Sequence, residues 1–105
     1  MSGSKSGTTS YSLTALRAGD RAEFSHLVES TSDSIYRLAL RMLGSPQDAE
    51  DVVQETYLKA LRALPGFEGR SNITTWLYRI AMNEALMMLR KRKPEAFFLE
   101  DMEKE

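Results

Sequence analysis

The chain has no cysteine in its 105 residues, which excludes disulfides and thiolate metal centres and leaves packing to stabilise the fold. Its one histidine, His26, cannot build a metal site alone, so no metal and no cofactor is expected. No apolar run approaches the roughly 18 residues of a membrane span. The leading MSGSKSGTTS also lacks the hydrophobic core of a signal peptide, so a soluble, cytoplasmic protein without membrane insertion is expected. The period-two alternation of β-branched residues that marks strands is absent as well. What remains is an all-α reading.

Hydrophobic residues make up 42% of the chain and charged residues 28%, an ordinary globular composition and enough for one domain. Met1 to Ser10 is serine, glycine and threonine with one lysine, and reads as disordered or as a cloning remnant. Residues 11–94 read as a bundle of about four main helices. A short turn bearing Leu13 and Leu16 stops at Gly19. Asp20 then caps a helix carrying Phe24, Leu27 and Val28, with Glu23 three residues on. The polar cluster Glu29 to Ser34 is expected to break or bend it. A further helix carries Ile35, Leu38, Ala39 and Met42 and stops at Gly44.

Ser45, Pro46 and Asp48 then open the helix with the clearest start signal, and Pro65 with Gly66 ends it. Ala49, Val52, Val53, Thr56, Tyr57, Ala60 and Leu64 recur on one stripe that must be buried. Asp48, Asp51, Glu55 and Arg62 line another face, with Gln54 and Leu58 beside it. After a loop, Ser71 or Asn72 can cap a helix from about Ile73 to Arg92. Ile73, Trp76, Leu77, Ile80, Ala81 and Met88 gather on its buried side. Thr75, Tyr78, Arg79, Met82, Leu86 and Arg90 fall opposite, with Asn83 at the boundary. Lys93 and Pro94 close this helix, and Glu95 to Glu105 is an acidic tail.

The formal net charge of -1 hides a strong division: +1 for residues 1–44, -2 for 45–64, +4 for 65–94 and -4 for 95–105. A basic helix between acidic segments fits a protein with two partner surfaces of different charge.

Two strings, DAEDVVQET and TWLYRIAMN followed by LRKRK, stand in order and at a spacing that resembles region 2 of the extracytoplasmic-function sigma factors of bacterial RNA polymerase. The likeness covers roughly Leu13 to Lys93. It implies a non-enzymatic domain that binds core RNA polymerase and recognises and melts the -10 promoter element. It also implies that residues 95–105 begin an interdomain linker and that an anti-sigma factor is a further partner. By this resemblance Asp48, Asp51, Val52, Gln54, Glu55 and Leu58 dock on the clamp helices of the polymerase β′ subunit. Periodicity alone buries Val52.

The resemblance also assigns the loop Gly66 to Asn72 and the following helix to the non-template strand of the -10 element, with one base flipped into a pocket. Unpaired DNA needs cations for phosphates, rings for stacking and amides to read a base. Arg70, Arg79, Arg90, Lys91, Arg92 and Lys93 are the cations, Tyr78 the ring, Asn72 and Asn83 the amides, with Thr75 on the same side. Trp76 reads as a packing residue, while Phe67 suits either a core anchor for the loop or a DNA contact. Acidic pairs at helical spacing carry no nucleophile or phosphate loop beside them, so a hydrolase is not favoured. A helix-turn-helix duplex reader would use a shorter turn than Pro65 to Ser71. Met82, Leu86 and Phe97 to Leu99 leave one rival open, a helical protein-interaction module without DNA melting activity.

Overall fold

The structure, a computed structural model, describes residues 10–92. The N-terminal stretch before Ser10, Lys93 and the acidic tail 95–105 lie outside the described residues, as does the side chain of Arg92. Four α-helices follow in order: α1 Leu13–Arg17, α2 Arg21–Leu43, α3 Pro46–Ala63 and α4 Ile73–Arg92, with a 3-10 turn Leu64–Gly66 after α3. No strand occurs among the described residues.

Each start carries its cap. Ser12 Oγ accepts from the Ala15 N–H at 3.1 Å, Asp20 Oδ1 from Glu23 at 2.9 Å and Ser45 Oγ from Asp48 at 3.2 Å. These oxygens satisfy amide donors that the first turn of a helix leaves without partners. Gly44 ends α2 at φ 71, a left-handed conformation that favours glycine. The two residues Gly44 and Ser45 are all that separates α2 from α3, so the pair forms an antiparallel hairpin.

Of the break or bend expected between Glu29 and Ser34, the break does not occur. Helix α2 runs unbroken for 23 residues because its hydroxyls bond within it. Ser30 Oγ donates to the His26 carbonyl at 2.8 Å, Thr31 Oγ1 to the Leu27 carbonyl at 2.7 Å, and Arg37 pairs with Asp33 at 2.9 Å. Side chains that bond back to the carbonyl four residues earlier cease to compete with the helix. The bundle still has four helices, with the short α1 as the fourth.

Two buried clusters hold the bundle. One joins Leu16, Leu27, Ile35, Tyr57, Leu64, Phe67, Ile73 and Leu77. The other, near the α2–α3 turn, is built of smaller residues, Ala39, Ala49, Val52 and Ala85 with Leu43, which lets three helix backbones approach closely.

Tyr57 links α3 to α2. Its hydroxyl bonds Thr31 Oγ1, and its ring meets Phe24 edge-on at 6.2 Å. The Thr31 hydrogen is already given to Leu27, so Tyr57 is the donor in this pair. Burial pushes its phenol above the ordinary value of 10.0. The neutral phenol's contribution to stability is therefore complete below about pH 10 and is lost as pH rises through the raised folded value, where the unfolded chain binds fewer protons. Tyr57→Phe is expected to cost about 1 kcal/mol at neutral pH and to flatten the alkaline limb of a stability profile followed by circular dichroism. An equally steep limb in the variant would refute this account.

Candidate nucleic-acid interface

The outer face of α3 carries a compact acidic and apolar patch. Asp51, Gln54 and Leu58 are exposed, Leu58 to 49%, while Asp48 and Glu55 are half-buried. Val52 is the exception among the residues assigned to polymerase docking. It is 1% exposed and packs with Ala39, Leu43, Ala49 and Ala85, so it supports the patch from beneath and presents nothing to a partner. Leu61, which the sequence reading passed over, is also 49% exposed. It stands three residues beyond Leu58, and that apolar step off the buried stripe was the signal available for it.

The loop from α3 to α4 is pinned at several points. Phe67 is buried, and its ring lies 4.8 Å from that of Trp76, which is half-buried. Arg70 pairs with Glu68 at 3.0 Å, both well exposed, so the pair contributes little to stability. Asn72 caps α4. Its Oδ1 accepts from the Thr74 N–H at 3.0 Å and the Thr74 hydroxyl at 2.7 Å, and its carbonyl accepts from Trp76 at 3.0 Å. With that oxygen committed, the Asn72 amide presents its N–H donors outward as the groups able to meet a base. Beyond it Thr75, Tyr78, Arg79, Met82 and Asn83 are all exposed on the first three turns of α4.

The predicted DNA-contacting residues do not form one continuous track. Helix α4 folds back along α3, so its far end lies beside the acidic face. Arg90 and Lys91 share a groove with Asp51, Gln54, Glu55 and Lys59. At about 1.5 Å per residue, Lys91 lies roughly 18 Å along the helix from Arg79. Asn83 faces a neighbouring groove with Lys59, Ala63, Trp76 and Met87. In the floor of both grooves Glu84, 8% exposed, forms an ion pair with Lys59 that the sequence reading did not anticipate.

No cluster of His, Cys, Asp or Glu able to hold a metal ion occurs among the described residues, and none of their helices is long and apolar enough to cross a membrane. The described residues fold as an all-α domain whose α3–α4 loop carries Arg70 and Asn72 beside the exposed Tyr78. The chain belongs to the Sigma-70 region 2 family, whose model matches residues 27–95. It is 38% identical over 82 residues to the ECF RNA polymerase sigma factor SigW of Bacillus subtilis (strain 168), covering 78% of this chain and 44% of that protein. It is 46% identical over 76 residues to ECF RNA polymerase sigma factor SigG of Mycobacterium tuberculosis (strain ATCC 25618 / H37Rv), covering 70% of this chain and 20% of that one. The chain thus spans less than half the length of these relatives. A solved structure, the NMR complex of an engineered region 2 of sigmaE with GTAAAA, matches at TM-score 0.66 and 36% identity, covering 79% of this chain and 88% of that one.

Proposed function

We propose that this chain is the domain of an extracytoplasmic-function sigma factor that binds core RNA polymerase and captures the -10 promoter element. One observation carries the reading. The antiparallel α3 and α4 present an acidic, leucine-bearing face and a donor-rich loop on adjoining surfaces of one rigid pair. On α3, Asp48, Asp51, Gln54 and Glu55 meet basic and polar groups of the β′ clamp helices, while Leu58 and Leu61 supply the apolar centre.

On the loop and α4, Asn72 and Asn83 read base edges, Tyr78 stacks, and Arg70 and Arg79 hold phosphates, with Thr75 at the rim. Arg90 and Lys91 add a second, separate cationic patch at the far end of α4. A base extruded from the non-template strand is captured by this loop, so melting draws on binding energy without ATP. The domain acts in the cytoplasm and catalyses no reaction. An anti-sigma factor controls it by covering exposed apolar residues. Met82, 40% exposed, and Met87, 46% exposed, favour a second reading, a protein-interaction module without DNA melting activity.

The test is a pull-down with a purified β′ clamp-helix fragment, comparing wild type with the double variant Asp51→Arg, Glu55→Arg after circular dichroism has established helicity. The variant is expected to bind at least ~10-fold more weakly, because like charges then face each other. Binding unchanged by the reversal, or absent in folded wild type, would support the interaction-module reading in its place.

A further inference from the structure

The loop between α3 and α4 is held from its back by α1, a segment that lies outside residues 27–95 matched to the family. Arg17, the last residue of α1, donates its Nε–H to the Phe67 carbonyl at 2.7 Å across 50 positions of sequence. Leu13, one turn earlier, backs Gly69: a Cβ added there would lie 3.4 Å from Leu13 Cδ1, at a φ of +78 that disfavours any side chain. Helix α1 is itself fixed. The Ser12 N–H donates to Glu23 Oε2 at 2.8 Å, the Asp20 N–H to the Ala15 carbonyl at 2.9 Å, and Leu16 is 2% exposed in the core. The five residues of α1 therefore tie α2 to the loop that leads into Asn72.

We infer that α1, through Arg17, is a positioning element for base capture: it fixes the loop so that base discrimination depends on a residue that touches no DNA. This rests on the DNA-capturing role proposed above. Helix α1 meets the loop at the Phe67 carbonyl and at Gly69, whose φ is 78. Holding them pays the ordering cost before a base arrives and keeps the Asn72 amide in one place relative to Tyr78. Discrimination between bases needs that alignment, whereas attraction of phosphates does not. Arginine suits the task because its Nε–H projects sideways from a planar group, a geometry that a lysine ammonium lacks.

The experiment uses the whole chain, with Arg17→Ala and Arg17→Lys, checked for cooperative melting. Each is titrated with single-stranded hexamers that begin from GTAAAA and differ by one base, at several salt concentrations. Acrylamide quenching of Trp76, the only tryptophan in the chain, reports in parallel on the loop through its contact with Phe67. A one-base change commonly costs about 5- to 150-fold in affinity, and in Arg17→Ala that preference is expected to fall below about threefold. The salt slope should hold and Trp76 should become more open to quencher. Arg17→Lys, which keeps the charge, should show the same loss of preference.

Equal weakening on every hexamer, with the salt slope reduced by about 0.7, would make Arg17 a phosphate contact and overturn the proposal. Preserved preference with unchanged quenching would overturn it as well. Should wild type bind none of the hexamers, the DNA-capturing role itself fails. Trp76 quenching then still decides whether Arg17 positions the loop, and an unchanged signal counts against it.

Discussion

Lys59→Met is expected to destabilise the domain by about 2 kcal/mol, roughly a 30-fold change in the folding equilibrium, even though methionine fills the same space. The cost falls on the residue left behind. Glu84 has a side chain only 9% exposed, against 38% for Lys59, so removing the ammonium strands a carboxylate that water reaches poorly. The figure lies below the 3–5 kcal/mol typical of a fully buried pair, since Lys59 is partly hydrated and Arg90 lines the same groove. The reverse change, Glu84→Gln, should cost less than half as much, because the freed ammonium can turn to solvent. Lys59→Met combined with Glu84→Leu should recover most of the loss, two apolar side chains replacing two charges that no longer need each other. Urea denaturation at constant m-value measures all three. Equal losses in the two single variants would show that the pair is an ordinary surface contact.

This ion pair also shows where sequence reading stops. Glu84 stands three residues after Ala81 and one before Ala85, both fully buried, so its place on the inner stripe of α4 was legible from spacing. Its partner was not, because Lys59 lies on another helix and nothing local joins them. The start of α3 was legible for the opposite reason: Ser45, Pro46 and Asp48 act on their own first turn, and the cap is where they put it. The predicted break in α2 failed because Ser30 and Thr31 were weighed as helix breakers by composition. Whether a hydroxyl bonds back to its own helix depends on rotamer and neighbours, here Tyr57 from 26 residues away. Val52 shows a likeness and a periodicity in conflict, and packing decided for the periodicity. The work of α1 was out of reach, since Arg17 and Phe67 meet only once the chain has folded back across α2 and α3.

Tyr78→Ala is expected to weaken single-stranded DNA binding by about 5- to 150-fold, the loss of one stacked base, with the salt slope unchanged. Tyr78→Phe should retain most of the affinity, because the ring supplies the contact. Arg90→Ala with Lys91→Ala should behave differently, weakening all sequences alike and lowering the salt slope by at most about 1.4. The difference follows from the fold. Tyr78 is 37% exposed near the Asn72 cap, whereas Arg90 and Lys91 stand across a groove from Asp51 and Glu55, whose charge opposes part of their pull on phosphates. Reversing Asp51 and Glu55 to arginine should therefore strengthen non-specific DNA binding at low salt while it weakens attachment to the clamp helices. Filter binding across a salt series separates these effects. A loss of base preference in the Arg90, Lys91 variant, or unchanged affinity in Tyr78→Ala, would move base capture to the far end of α4 and away from the loop.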